Sequence, residues 1–248
     1  MREVMLITGA SRGIGAASAV LAAERGYDVA ISYRRDSDAA ESVAEQVRAR
    51  GARTVSIQAD IANEDDVERM FATVDSVLGT LAVLVNNAGT LDRQMRLEEM
   101  SAERFERTLR VNVIGVFLCC RAAVRRMSTR YGGTGGRIVN VSSAAARMGS
   151  AREYVDYAAS KGAVDTMTIG LANEVAGEGI RVNAVRPGIV YTELHALGGE
   201  PGRVDRVKAA VPMKRGGQPA EIAHSILWLA SNESSYCTGS FVDASGGR

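Results

Sequence analysis

The sequence predicts an α/β domain built on a parallel sheet, and three features carry that expectation. Short apolar runs of strand length alternate with stretches of helical period through residue 85, giving β-α-β-α-β-α-β with short connections. That pattern points to parallel strands joined by right-handed crossovers. The first strand runs directly into a glycine turn and then a helix, the context a dinucleotide-binding unit needs. No linker, internal repeat or charge block divides the 248 residues, so one domain over 1–248 is expected rather than two.

Val4–Ile7 is a continuous apolar run, as suits a strand covered on both faces. It leads into Thr8-Gly9-Ala10-Ser11-Arg12-Gly13-Ile14-Gly15; the alanine-rich stretch 16–25 then has helical composition, and Gly26 stops it. Gly9 permits a tight turn, and Gly13 and Gly15 would let backbone approach a pyrophosphate at the positive end of the helix. The spacing is G-x-x-x-G-x-G rather than G-x-G-x-x-G. Asp28–Tyr33 is a second strand, ending in Tyr33-Arg34-Arg35. A carboxylate at this tip would bind the 2′-hydroxyl of an NAD ribose, whereas a basic tip suits a 2′-phosphate. Here the tip is basic, Asp36 comes later, and Arg12 in the glycine turn is a second candidate cation, so NADP(H) is favoured over NAD(H). The plainer alternative is that Arg34 and Arg35 are solvated surface charges.

The stretch 37–50 places Ala40, Val43, Ala44 and Val47 on one helical face. Thr54–Gln58 is a third strand, followed by Ala59-Asp60-Ile61, and Asn63 caps a helix that buries Val67, Met70, Phe71, Val74 and Leu78. A fourth strand over 81–85 leads into Asn86-Asn87-Ala88-Gly89. One long helix is predicted over 101–127, with Asn112, a weak helix former, among apolar residues at its middle. The glycine-rich 132–136 reads as a flexible surface loop. The fifth strand, 138–141, ends in Ser142-Ser143; a helix to about Ala176 carries Tyr157 and Lys161, with Gly177 or Gly179 as its terminator. The sixth strand, 181–185, is followed by Arg186-Pro187-Gly188. The segment 189–217 lacks a clear period apart from helix-like stretches such as 203–211, as expected of a lid or binding loop. Pro219 opens a last helix, burying Ile222, Ile226, Leu227 and Leu229, and 240–243 is a final strand.

A hydrophobic content of 46% is ample for a core, and a net charge of +1 argues against a nucleic-acid surface. Cys119, Cys120 and Cys237 have no metal-type spacing and no secretory context, so reduced thiols and no metal site are expected. No stretch approaches a membrane span, and the first apolar run is too short for a signal-peptide core. A soluble cytoplasmic protein without a membrane partner is expected.

Tyr157-Ala158-Ala159-Ser160-Lys161 puts a phenol and an ammonium one turn apart on one helix face. The cation favours the phenolate, which predicts a Tyr157 pKa drawn below about 10 and a group able to give or take a proton near neutrality. Most such pairs are a half-buried tyrosine beside a solvated lysine, so this one takes its meaning from the rest of the chain.

Thr8-Gly9-x-x-x-Gly13-x-Gly15, Asp60, Asn86-Asn87-Ala88-Gly89, Asn112, Ser143, Tyr157-x-x-x-Lys161 and Pro187-Gly188-x-x-x-Thr192 follow one another along essentially the whole chain. In this order the sequence resembles the short-chain dehydrogenases/reductases. The resemblance implies a doubly wound Rossmann sheet of seven strands, order 3-2-1-4-5-6-7, with helices on both faces and the ligand beyond the carboxyl ends of the strands. It implies that Tyr157 is the general acid in carbonyl reduction and the base in alcohol oxidation. Lys161 would lower its pKa and bind the nicotinamide ribose, Ser143 would hydrogen-bond the substrate oxygen, and Asn112 would hold a water linking Lys161 to a proton relay. Cofactor contacts are expected from Gly9, Ser11, Arg12, Gly13, Ile14, Gly15, Arg34, Asp60, Ile61, Asn87, Ala88, Gly89, Tyr157, Lys161, Pro187, Gly188, Val190 and Thr192. Asn86 would steady the central sheet near the adenine ribose.

Some positions depart from the family pattern. Ser143 precedes Tyr157 by 14 residues rather than about a dozen, and Ser142 is its rival, although strand alternation turns Ser142 to the other face. Asn173 stands where fatty-acid-synthesis reductases of the family carry an arginine thought to dock the acidic carrier protein. Tyr154 is followed four residues on by Ala158 and is excluded as the acid. The implied activity is hydride transfer between NADP(H) and a small-molecule carbonyl or secondary alcohol. A 3-oxoacyl thioester reductase, a sugar or cyclic-alcohol dehydrogenase and a non-catalytic NADP-binding sensor are the other readings. His195, Leu197 and Met213 are expected to line substrate space, with no catalytic part for His195 or His224. Family members are usually homotetramers, for which Leu227, Trp228 and Phe241 could supply contacts.

Overall fold

In the computed structural model, which describes residues 2–248, seven strands form one sheet: β1 (Val4–Ile7), β2 (Asp28–Tyr33), β3 (Thr54–Gln58), β4 (Leu81–Asn86), β5 (Gly136–Val141), β6 (Ile180–Pro187) and β7 (Phe241–Ala244). Every neighbouring pair is parallel and the order is β3-β2-β1-β4-β5-β6-β7, as expected. The helices are α1 (Gly13–Glu24), α2 (Ser37–Arg48), α3 (Glu64–Val77), α4 (Ala102–Leu109), α5 (Gly115–Met127), α6 (Ala145–Met148), α7 (Val155–Val175), α8 (Leu194–Leu197), α9 (Arg203–Val207) and α10 (Pro219–Ala230).

Strand alternation sorts the apolar residues into two cores. Leu6, Leu84, Ile138 and Val182 face α3, α5 and α7 with Met70, Phe71, Cys119 and Val164. Met5, Ile7, Val83, Val85 and Val139 face the opposite layer, with Ala19, Ala22, Val43, Val47, Ile226 and Leu227 of α1, α2 and α10. Because both faces are covered, the central strands read as unbroken apolar runs. Helix starts are fixed locally: Asp36 accepts from the Ala39 amide at 3.0 Å and Asn63 from the Asp66 amide at 3.1 Å. Since β1 to β3 spread one way and β4 to β7 the other, the strand order reverses between β1 and β4. A crevice opens there above the carboxyl ends.

The predicted helix over 101–127 is interrupted. A π-turn over Arg110–Ile114 separates α4 from α5, with the buried Asn112 inside it. The side chain of Asn112 accepts from the Thr90 amide at 2.8 Å and donates to the Thr90 carbonyl at 3.0 Å and to Ser160 Oγ at 3.0 Å. The extra residue in this turn aims the amide at those partners, the common use of such bulges.

The loop 132–136 is pinned rather than free. The Gly135 amide donates to the Met127 carbonyl at 2.7 Å and the Gly136 amide to the Gly179 carbonyl at 3.0 Å, and a Cβ at Gly133 would collide with the backbone of Met127. The glycines here serve close backbone approach, a use that composition does not separate from flexibility. The final strand is shifted by one residue from its predicted position, to Phe241–Ala244.

Candidate active site

The glycine turn is locked onto the end of β4 before it meets any ligand. Thr8 Oγ1 accepts from the amides of Asn87 (3.1 Å) and Ala88 (3.0 Å), and Asn87 Nδ2 donates to the carbonyls of Thr8 and Gly9, both at 2.9 Å. Gly9 takes φ +63°, so the chain turns sharply here. A Cβ on Gly15 would lie 2.5 Å from Asn87 Nδ2 and 2.6 Å from the Gly9 carbonyl. Gly15 therefore seats α1 on the turn and does not itself border the cavity.

The crevice holds a cavity of about 880 Å³. Of the expected catalytic and cofactor-contacting residues, all but Gly15 and Asn112 border it, and Asn86 and Met213 do not. At one end the start of α1 faces the cavity through Ser11, Arg12, Gly13 and Ile14. Arg12 caps this helix without a side-chain bond and no acidic residue lies in the first turn, so the backbone amides turn a positive end to the cavity, with the Glu193 carboxylate of the facing loop close to Gly13. The tip of β2 presents Ser32, Tyr33, Arg34, Arg35 and Asp36 to the same end. Asp36 is committed to capping α2, and Arg34 Nε lies 3.6 Å from Asp60 Oδ2, both side chains being exposed. Such a pair contributes little to stability and leaves Arg34 available. Asn86 points away from the crevice: its amide donates to Asn140 Oδ1 at 2.9 Å and to Cys120 Sγ at 3.2 Å inside the core. It steadies the sheet, as expected, but does not border the cavity, so Asn87 takes the cavity-side position of the pair.

At the other end stand Ser143, Tyr157 and Lys161. Lys161 is 3% exposed, donates to the Val141 carbonyl at 2.7 Å, and holds its ammonium 5.7 Å from the centre of the Tyr157 ring. Ser142 is buried and donates to the Lys161 carbonyl at 3.3 Å, while Ser143 is the half-buried one beside the phenol. The expected lowering of the Tyr157 pKa is overturned. Burial pushes the phenol above its ordinary 10, with the Ser143 hydroxyl opposing. Burial also draws the Lys161 ammonium down to about 8, Asp165 opposing. Desolvation disfavours both charged forms, and the lysine spends a hydrogen bond on Val141 rather than on the phenol.

The helix carrying this pair is fixed by a buried ion pair that the sequence did not reveal. Arg104 on α4 donates to Asp156 on α7 through Nε (2.8 Å) and Nη2 (3.2 Å), and to the Arg93 carbonyl through Nη1 (2.7 Å). Both side chains are almost inaccessible, 5% and 2% exposed. Asp156→Ala strands a buried guanidinium next to Tyr157, so a loss of about 3–5 kcal/mol is expected in urea denaturation.

Around the mouth, Leu91, Met148, Leu194 and Leu197 supply apolar wall, and Tyr154 with the Glu153–Arg203 pair supplies the rest. Arg203 bonds both Glu153 oxygens and lies 5.0 Å over the Tyr154 ring, while Glu200 of the same loop pairs with Arg206 and with Gln94. The segment 189–217 is thereby tied to the residues just before α7. His195 and Leu197 border the cavity, whereas Met213 borders a second one, with Ile189, Arg215 and Glu221. His195 uses Nε2 on the Val190 carbonyl at 3.0 Å. Leu227 is fully buried within its own chain and cannot serve a subunit contact, whereas Trp228 is 37% exposed.

The family profile described as Enoyl-(Acyl carrier protein) reductase matches residues 9–248. An Escherichia coli K12 protein called "Uncharacterized oxidoreductase YgfF" is 56% identical over 245 residues, covering 99% of each chain. The 3-oxoacyl-[acyl-carrier-protein] reductase FabG of Staphylococcus aureus strain Mu50 is 37% identical over 248 residues, covering all of this chain and 98% of the relative. A short-chain type dehydrogenase/reductase from Mycobacterium marinum superposes with a TM-score of 0.92 at 36% identity, over 99% of this chain and 94% of that one.

The chain belongs to the short-chain dehydrogenase/reductase family.

Members of this family are oxidoreductases that use a nicotinamide cofactor, and a short chain dehydrogenase from Burkholderia cenocepacia J2315, 33% identical with a TM-score of 0.90, was solved in complex with NADP. Among the described residues no helix is long and apolar enough to cross a membrane, and no cluster of His, Cys, Asp and Glu suits a metal ion. As a short-chain dehydrogenase/reductase the chain carries Thr90, Ser160 and Asp156 as supports for Asn112 and Tyr157. None of these stood out in the sequence, because each is an ordinary polar residue whose partner is distant along the chain.

Proposed function

We propose that this protein is an NADP(H)-dependent oxidoreductase that interconverts a carbonyl compound and its secondary alcohol, with Tyr157 as the proton donor and acceptor. The observation that carries this reading is the convergence of Ser143, Tyr157 and Lys161 on one cavity whose other end presents an uncapped helix start and basic side chains. Those residues fit a dinucleotide: the α1 amides, Ser11 and Gly13 would hold the pyrophosphate, Arg12, Arg34 and Arg35 the 2′-phosphate, and Val190 and Thr192 the carboxamide. When bound, the nicotinamide supplies or takes up the hydride. Tyr157 gives its proton to the substrate oxygen in reduction and removes it in oxidation. At neutral pH the phenol is in its acid form, ready to donate in reduction. Ser143 donates to the same oxygen as charge develops there. Lys161 keeps a positive charge behind the phenol, and Asn112 with Ser160 holds the back of the site for proton resupply.

The Glu153–Arg203–Glu200–Arg206 network at the mouth is internally neutral, while Glu193 adds a carboxylate to the cavity wall. A 3-oxoacyl thioester is the second reading, favoured by the FabG relatives. Position 173, on the surface, is Asn beside Glu174, which does not suit an acidic carrier. Assembly as a homotetramer is supported by the exposed apolar side chains Phe105, Ile114 and Phe117 along α4, the π-turn and α5.

A reductase screen across ketones, thioesters and sugars, run with NADPH and with NADH, tests the proposal. Turnover with at least one carbonyl class is expected, with NADPH preferred. The double change Arg12→Ala and Arg34→Ala is expected to raise KM for NADPH about tenfold or more and to leave KM for NADH within about twofold, since only the 2′-phosphate partners are lost. Tight dinucleotide binding with no turnover on any class would favour a sensor instead.

A further inference from the structure

Beneath the cavity α7 continues, and one turn beyond Lys161 it carries a second buried ionisable group. Asp165 is 8% exposed; its Oδ2 accepts from Arg186 Nε at 2.8 Å, and its Oδ1 is buried with no hydrogen-bond partner. Residues four apart lie on the same helical face, about 5–6 Å apart at Cβ, so this carboxylate sits one turn below the lysine. Arg186 is held by more than Asp165: its guanidinium stacks on Phe241 at 3.8 Å and lies 3.8 Å from Asp243, which in turn pairs with Arg147 at 3.0 Å. The charges therefore alternate from the cavity outward: Lys161, Asp165, Arg186, Asp243, Arg147.

We propose that Asp165, clamped by Arg186, is a positioning residue for Lys161, supplying the buried counter-charge that keeps the ammonium cationic behind Tyr157. The idea rests on the reading of Tyr157 and Lys161 as the proton-transfer pair but concerns a residue outside the cavity. Arg186 answers one oxygen of this carboxylate while the other is buried and bare, and Lys161 is the cation one turn away on its own helix. Burial draws that ammonium down, and Asp165 opposes the fall. The other groups around Lys161 carry no net charge: Tyr157 on α7, the Val141 carbonyl and the Ser142 and Ser143 hydroxyls after β5, Gly89 after β4, and the Asn112 amide on the π-turn.

The arrangement predicts opposite responses to two changes. Asp165→Asn removes a negative charge and is expected to move the Lys161 midpoint down by about 1 pH unit or more, the usual effect of losing a near opposite charge. Arg186→Met removes a competing positive charge and is expected to move it up. Lys161, Lys208 and Lys214 are the only lysines in the chain, so ¹³Cε-lysine NMR of the cofactor-free protein can follow each ammonium between pH 6 and 11. In parallel, the high-pH limb of kcat/KM for carbonyl reduction should move the same way in each variant. Opposite shifts in both measurements support the role; unmoved midpoints, or shifts of one sign in both variants, overturn it. If Asp165→Asn does not fold, Arg186→Met decides alone, an upward shift supporting and any other result overturning. Should Tyr157→Phe keep full turnover, the proton-transfer reading fails. Should Tyr157→Phe be inactive while the lysine midpoint stays fixed in both variants, only the role of Asp165 fails.

Discussion

Tyr157→Phe is expected to lower kcat for carbonyl reduction by about 10²–10⁴-fold, the usual contribution of a positioned general acid, while the dissociation constant for NADPH changes little. The phenol ring fills its place through packing, and Phe keeps that packing. What Phe lacks is the one proton at the mouth of the cavity with Ser143 beside it. Stopped-flow hydride transfer together with fluorescence titration of NADPH separates the two effects. A parallel drop in cofactor affinity would mean that the substitution has disturbed the nucleotide end, and undiminished turnover would remove Tyr157 from the chemistry.

Lys161→Met is expected to lose activity and gain stability. In the folded protein the ammonium titrates near 8, against 10.5 for a solvated lysine. Between those values the unfolded chain binds more protons than the folded one, so wild-type stability should rise with pH through that window. Below pH 8 the full cost is present, roughly 3 kcal/mol at about 1.4 kcal/mol per unit. Methionine removes that cost but leaves the Val141 carbonyl without its donor, a loss of about 1–2 kcal/mol. A net gain of about 1–2 kcal/mol at pH 7 is expected in urea denaturation, and the rise between pH 8 and 10.5 should vanish. A variant that is less stable at every pH would show that the ammonium is better accommodated than its burial implies.

Most of the sheet was legible because its determinants are local. Apolar runs, glycine stops and cap residues such as Asn63 act within a few positions, and the motif spacing carried the strand order through family resemblance. Many site residues that border the cavity sit at or just after strand ends, which pattern locates, while Tyr157 and Lys161 lie on α7 and were legible through the motif they form. What failed depended on partners far along the chain. The π-turn exists because Asn112 reaches Thr90 and Ser160, 22 and 48 positions away. Gly15 is glycine because of Asn87, and 132–136 is glycine-rich because of Met127 and Gly179. The direction of the Tyr157 shift was misread for a related reason. Spacing along a helix gives the neighbouring charge but not the depth of burial, and burial prevailed.

The tie between Glu153 and Arg203 has a kinetic consequence. The loop at the mouth of the cavity is braced against the residue four positions ahead of Tyr157, so the two cannot drift independently. Exchanging side chains in 194–207 to admit a bulkier ketone would also retune how squarely the phenol meets the carbonyl. Selectivity gained by altering that loop should therefore appear in turnover as much as in apparent affinity, and retaining Arg203 through such redesign keeps the two coupled.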